Sequence, residues 1–175
     1  MSQEFLDVVN EEDLVIDSKP RKEVHQLGLW HRGAHVFLFT EDGKLLVQKR
    51  SADRSTAPSM LDCSVSEHVQ AGESYYNAAI RGMKEELGLE NIEIKRLHKF
   101  RMEYGPNDNE ISELYEGRVN PTLVNHDPSE IESIHYYEMN ELIKLTVSNE
   151  NIFCGWFIEL INLHQKGTGK MELMD

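Results

Sequence analysis

The stretch Glu73 to Leu89 constrains this chain more than any other part of it. Ala78, Ala79, Met83 and Leu87 recur at helical spacing, and Gly88 stands where a helix would close, so Ser74 to Leu87 is predicted to be helical. Two adjacent carboxylates, Glu85 and Glu86, fall in its last turn. A helix C-terminus carries partial negative charge, which disfavours acids there. A solvated charged face, with Arg81 four residues before Glu85, would explain them structurally. A bound divalent cation would explain them functionally: hard oxygen ligands on a rigid element suit Mg²⁺, and Mg²⁺ suits phosphate chemistry. Periodicity alone leaves the two readings level.

Charge narrows the partners. A formal net charge of −13 over 175 residues argues against non-specific binding to nucleic-acid polymers or anionic membranes. A phosphorylated small molecule would need metal ions and local Lys or Arg to reverse the field. Cys63 and Cys154, the only cysteines, fit a reducing compartment better than a disulfide scaffold. No apolar run reaches membrane-spanning length, and the acidic N-terminus does not resemble a signal peptide. The expectation is a cytoplasmic protein with one domain over residues 1–175.

Along the chain, Phe5 to Val9 and Leu14 to Asp17 read as short strands around a polar turn. His31 to Thr40 and Lys44 to Lys49 follow as strands, Ser51 to Ser59 as a loop with Pro58, and Met60 to Val69 as broken short strands. Ile92 to Met102 and Ser112 to Val119 are further strands, separated by the turn cluster Gly105 to Asn109. Ile134 to Tyr137 adds a strand and Met139 to Leu145 a short helix. The last helix, about Asn149 to Lys166, would place Ile152, Trp156, Leu160 and Leu163 on one stripe and end at Gly167-Thr168-Gly169. Strands before, between and after helices suggest a mixed sheet covered on both faces.

The spacing of Glu73, Arg81, Met83, Glu85, Glu86, Gly88 and Leu89 resembles the Nudix box, G-x5-E-x7-R-E-U-x-E-E-x-G-U, with U a bulky aliphatic. Two positions depart: Glu67 stands where the first glycine belongs, and Gly82 where the first helix glutamate belongs. Leu45 to Arg50, the Ser51-to-Met60 loop, His68-Val-Gln-Ala-Gly-Glu-Ser74 and the N-terminal hairpin through Arg32 resemble the Nudix branch related to type I isopentenyl-diphosphate isomerase. The resemblance implies an α/β/α sandwich with a mixed central β-sheet, an N-terminal β-hairpin, and a box over residues 67–89.

It also implies roles. Glu85 and Glu86 would bind Mg²⁺ or Mn²⁺ against a diphosphate, with the backbone carbonyl of Glu67 a further metal ligand. Glu73 and Arg81 would brace loop and helix, and Gly88 would close the box. Lys49, Arg50 and Arg54 are candidates for phosphate oxygens, with solvated surface charge the competing reading. Glu113 is the candidate for an acid outside the box, as ligand or general base. His25, His31 and His68 resemble the isomerase metal site, with Glu113, or else Glu110, as its carboxylate. The isomerase cysteine falls at Ser66, and an unactivated hydroxyl is far too weak an acid for proton transfer to carbon. The expected activity is hydrolysis of a nucleoside diphosphate derivative or other organic diphosphate. An isomerase and a ligand-binding module impaired by Gly82 are the alternatives. A homodimer through the hairpin or last helix is left open.

Overall fold

The computed structural model describes residues 3–167 and 169–174. Strands β1 (Phe5–Val9) and β2 (Val15–Pro20) form the expected antiparallel hairpin. Its turn is held by Asn10 Oδ1, which accepts from the backbone N–H groups of Glu12 and Leu14 at 3.1 and 2.8 Å. A short helix, α1 (Arg21–Leu27), follows directly. The sequence reading missed it because Val24 is its one buried residue, so it carries no apolar period. Val24 packs with Leu6 and Val8 of β1 and carries His25 towards the central sheet.

Strand β3 (His31–Phe39) is the centre of the molecule. It pairs in parallel with β8 (Asp108–Arg118) and antiparallel with β6 (Val65–His68). Beyond β8 come β7 (Ile94–Gly105) and the two-residue edge strand β10 (Glu172–Leu173). The far end of β3 meets β4 (Leu45–Arg50) at Phe39 and Leu45, and β4 carries β5 (Leu61–Asp62) and β9 (Ile131–Tyr137). Ala34, Val36 and Leu38 pack beneath α2 (Tyr75–Leu87), while Phe37 and Phe39 pack beneath α4 (Gly155–Lys166). Both faces are covered, so β3 is buried along almost its whole length and its run Val36 to Phe39 is continuously apolar. The result is the α/β/α sandwich with a mixed sheet; α3 (Met139–Ser148) flanks it.

Helix α2 starts and stops on its own side chains. Ser74 Oγ accepts from the Asn77 N–H at 3.1 Å, and Gly88 closes the helix at φ 66°. A Cβ at Gly88 would lie 2.8 Å from the Asn125 carbonyl oxygen, so both conformation and space require glycine there.

Two boundaries differ from expectation. The β7–β8 turn shrinks to Pro106 and Asn107, which moves Asp108 and Asn109 into a strand. Helix α4 begins at Gly155, after a 3₁₀ turn at Glu150–Ile152 and an extended Phe153-Cys154 pair. The Cys154 N–H is taken by the Leu61 carbonyl at 2.9 Å, which prevents a continuous helix. Ile152 is therefore 42% exposed, and the buried stripe is Phe157, Leu160, Ile161 and Leu163. Of the expected terminating residues, Gly167 ends the helix in the left-handed conformation, and Thr168 lies outside the described residues.

Candidate functional site

Glu67 lies on β6 opposite Ala34, so its side chain projects towards α2. There it meets the box residues. Arg81 donates through Nε and Nη2 to the two oxygens of Glu73, each at 3.1 Å, and through Nη2 to the His68 carbonyl at 2.9 Å. Its Nη1 lies 3.3 Å from Glu67 and 3.3 Å from Glu85. Arg81 is thus the clamp between loop, strand and helix, and Glu73 its bidentate partner.

Glu85 and Glu86 are adjacent but differ in surroundings: the Glu85 side chain is 61% exposed, whereas Glu86 is 6% exposed. Glu86 accepts a hydrogen bond from Gln48 Nε2 at 2.9 Å. Burial, then the neighbouring Glu67, push the Glu86 carboxyl well above the ordinary carboxylate range, and burial raises Glu67 as well. Two carboxyls placed so cannot both ionise cheaply unless a cation joins them.

A second constellation sits on the other face. His25 from α1, His31 from β3 and His68 from β6 have ring centroids 4.8 to 5.2 Å apart. Glu110 Oε1 lies 3.5 Å from His31 Nε2 and 3.6 Å from His68 Nε2. Asp108 Oδ1 is 3.7 Å from His25 Nδ1 and 3.9 Å from His31 Nε2. His31 Nδ1 is 3.0 Å from the Leu29 carbonyl, which can only accept, so Nδ1 carries the proton and Nε2 faces inward. That Nε2 and Asp108 Oδ1 are buried with no hydrogen-bond partner. These two orphaned atoms, set among the overlapping triads His25, His31, His68 and His31, Asp108, Glu110, fit a transition-metal ion.

The electrostatics agree with that fit. Burial alone would raise Glu110, but the neighbouring His31, with His68 and His35, holds it below the ordinary range. Asp108 is pushed up to about 6 by burial and by Glu110. Burial lowers His68 strongly and His25 less. Metal ions bind deprotonated ligands, so a cation held by Asp108 would displace its proton. Mn²⁺ affinity is therefore expected to rise as pH increases through about 6, where Asp108 sheds its proton, with proton release on binding. Titration calorimetry in two buffers of different ionisation enthalpy measures that release. An affinity flat across this range would contradict the assignment.

Glu113 requires correction. Residues alternate across β8, so Glu110 and Ser112 face the histidines while Glu113, opposite Ala34, faces α2. Its carboxylate accepts from Arg96 Nη1 at 3.1 Å and from the Tyr115 hydroxyl. It joins neither the histidine cluster nor the cavity beside Glu85 and Glu86. Asp108 went unrecognised because its neighbours read as a turn; once β8 begins at Asp108, Asp108 and Glu110 share a face.

Two cavities adjoin these groups. One, of about 590 Å³, runs past His25, His68 and Glu110 to Tyr104 and Trp156; the other, of about 690 Å³, lies over Glu85 and Glu86. Arg21, Arg54 and Glu67 line both. Of the phosphate candidates, Arg54 is thus well placed, held by Glu130. Arg50 is committed to Asp62 at 3.0 Å and to the Thr56 carbonyl, with its guanidinium over Trp156. Lys49 pairs with Glu132 at 2.7 Å and lines neither cavity, which is a second correction. Arg21, absent from the sequence candidates, lines both cavities because α1 delivers it, with its Nη1 3.1 Å from Glu4. Ser66 also lines the first cavity, with Oγ 2.9 Å from Nδ1 of a fully buried His35. Cys63 is buried in the α4 core, where burial pushes its thiol well up, so it offers no substitute.

Fold and site define an α/β/α protein whose box helix ends in two carboxylates. The NUDIX domain family model matches residues 29–154, and the chain belongs to the Nudix family. It is 43% identical over 93 residues to an uncharacterized Nudix hydrolase of Clostridium acetobutylicum, covering 51% of this chain and 45% of that one. It is 29% identical over 173 residues to isopentenyl-diphosphate Delta-isomerase of Serratia proteamaculans, covering 97% and 94%. Among solved structures, DR0079 from Deinococcus radiodurans superposes with a TM-score of 0.80 at 27% identity, over 93% of this chain and 100% of that one. The chain thus sits in the Nudix branch related to the isomerase, although it spans only about half the length of the first curated hydrolases it matches.

Proposed function

We propose that this protein is an Mg²⁺- or Mn²⁺-dependent hydrolase of a small organic diphosphate, such as a nucleoside diphosphate derivative. The observation that carries the reading is the buried Glu86 carboxyl beside Glu67, opening onto a cavity walled by Arg21, Arg54 and Arg81. Glu86 and the exposed Glu85 would hold the cation. When bound, the cation supplies charge neutralisation on the diphosphate and a more acidic water. Arg54 and Arg21 would neutralise phosphate oxygens, and Arg81, fixed by Glu73, would keep the helix end in place. Water adds its oxygen to one phosphorus, the bridging P–O bond breaks, and the leaving phosphate takes the bonding electron pair. The organic group would occupy the cavity lined by Tyr104 and Trp156. The five-group cluster of His25, His31, His68, Asp108 and Glu110 would hold a second metal beside it.

That cluster, together with near full-length similarity to an isomerase, also favours a second reading, allylic isomerisation of a prenyl diphosphate. Ser66 weighs against it: burial keeps its partner His35 neutral, and a serine hydroxyl remains a poor acid for carbon. A panel of nucleoside and prenyl diphosphates with Mg²⁺ or Mn²⁺, followed by phosphorus NMR in deuterated water, separates the two. Hydrolysis yields two phosphate-bearing products; isomerisation incorporates deuterium and releases no phosphate. Turnover of no diphosphate under either metal would sink the first reading.

A further inference from the structure

Glu67 and Gly82, the two departures from the box pattern, occupy one space. The Glu67 side chain crosses directly over Gly82, and a Cβ built there would lie 2.6 Å from Glu67 Cγ and 2.6 Å from Val65 Cγ1. No side chain at position 82 is compatible with Glu67 as it stands, and no larger residue on the helix leaves room for this path from β6 to Glu86. Along this path Arg81 Nη1 lies 3.3 Å from both Glu67 and Glu85, and Glu67, Glu85 and Glu86 line one cavity. Glu67 also lines both cavities.

We infer that the two departures are a single exchange, in which the Glu67 side-chain carboxylate, entering from the strand, supplies the metal-site oxygen that a glutamate at position 82 would bring from the helix. A backbone carbonyl role for residue 67 would need no particular side chain, and would leave the glycine at 82 unexplained. The carboxylate role explains both. It also rules that the chain is not impaired by Gly82. Adding a glutamate at 82 alone would drive its Cβ into Glu67 and Val65, and is expected to lower stability without raising turnover. This inference rests on the metal-dependent reading above and names one more residue in it.

The test measures Mn²⁺ binding by electron paramagnetic resonance, counting the fraction that Mg²⁺ displaces, so that imidazole-bound ion is set aside. Glu67→Gln, which keeps the shape over Gly82, is expected to weaken that fraction by about 10-fold or more. The paired variant Glu67→Gly with Gly82→Glu is expected to recover affinity to within about 3-fold of the parent, with Val65 changing rotamer. Wild-type binding in Glu67→Gln, alongside loss in Glu86→Gln, overturns the exchange and leaves the hydrolase reading standing. A paired variant that folds, by its thermal transition, yet binds no better than Glu67→Gln also overturns it. If the parent and Glu86→Gln bind alike, it is the metal-dependent reading itself that fails. Should the paired variant not fold, Glu67→Asp decides: a carboxylate one methylene short is expected to bind between the parent and Glu67→Gln, and binding equal to Glu67→Gln counts against a carboxylate role.

Discussion

Glu86→Gln is expected to reduce metal-dependent turnover by about 10²- to 10³-fold while raising the thermal midpoint by a few degrees. Both signs follow from one placement. The Glu86 carboxyl is buried, raised well above its ordinary range by burial and by Glu67, and hydrogen-bonded to the neutral Gln48 amide. Its charged form is therefore a cost to the folded protein that only a bound cation offsets. Glutamine keeps the volume and an oxygen that can accept from Gln48, but removes the charge. The sign check for pH is direct: a carboxyl whose folded pKa is raised stabilises the fold below its unfolded pKa and loses that contribution as pH rises through the folded pKa. The stabilising effect of the substitution should accordingly grow towards alkaline pH. Calorimetric melting with parallel turnover assays checks both; a variant that loses activity and stability together would point to a structural role instead.

Asp62→Ala should be among the most damaging single changes to stability, at about 3–5 kcal/mol, or a fall of about 6–20 °C in melting temperature. Asp62 is fully buried and serves as a shared acceptor for Arg50 Nη1 at 3.0 Å, Trp156 Nε1 at 2.8 Å and the Cys63 N–H at 2.7 Å. Removing it leaves a buried guanidinium unpaired and two N–H donors unsatisfied. Arg50 and Trp156 wall the organic end of the first cavity, so their release should also weaken substrate binding. Pairing Asp62→Leu with Arg50→Met removes both charges and should recover most of the stability, because the dominant cost is the stranded charge. Chemical denaturation of the single and paired variants measures this. A loss below about 1 kcal/mol in Asp62→Ala would mean that Arg50 finds solvent or another partner.

The comparison of Glu113 with Glu110 shows where a sequence stops being informative. Both acids are visible in the chain, three residues apart, Glu113 within the expected strand Ser112 to Val119 and Glu110 just before it. Which one faces the histidines depends on the parity of that strand, and parity is set by its pairing with β3 and by the irregularities of the β7–β8 hairpin. Helix α1 is a second case. Seven residues with one buried side chain have no period to read, yet they carry both His25 and Arg21 to the cavities.

Helix α2 was legible to within a residue of its start and down to its closing glycine, and the Glu73–Arg81 pair with it, because those signals lie close together along the chain. The hairpin, the apolar centre of the sheet and the acidic helix end are readable for the same reason: periodicity, capping and turn chemistry are local. Folding decided which acids meet. The placing of Glu67 over a bare glycine in the cavity of Glu85 and Glu86, and the gathering of three histidines and two carboxylates from α1, β3, β6 and β8, exist only because distant strands take one register and the helix packs at one depth. Register and depth are properties of the whole packed core, which no short window of residues contains.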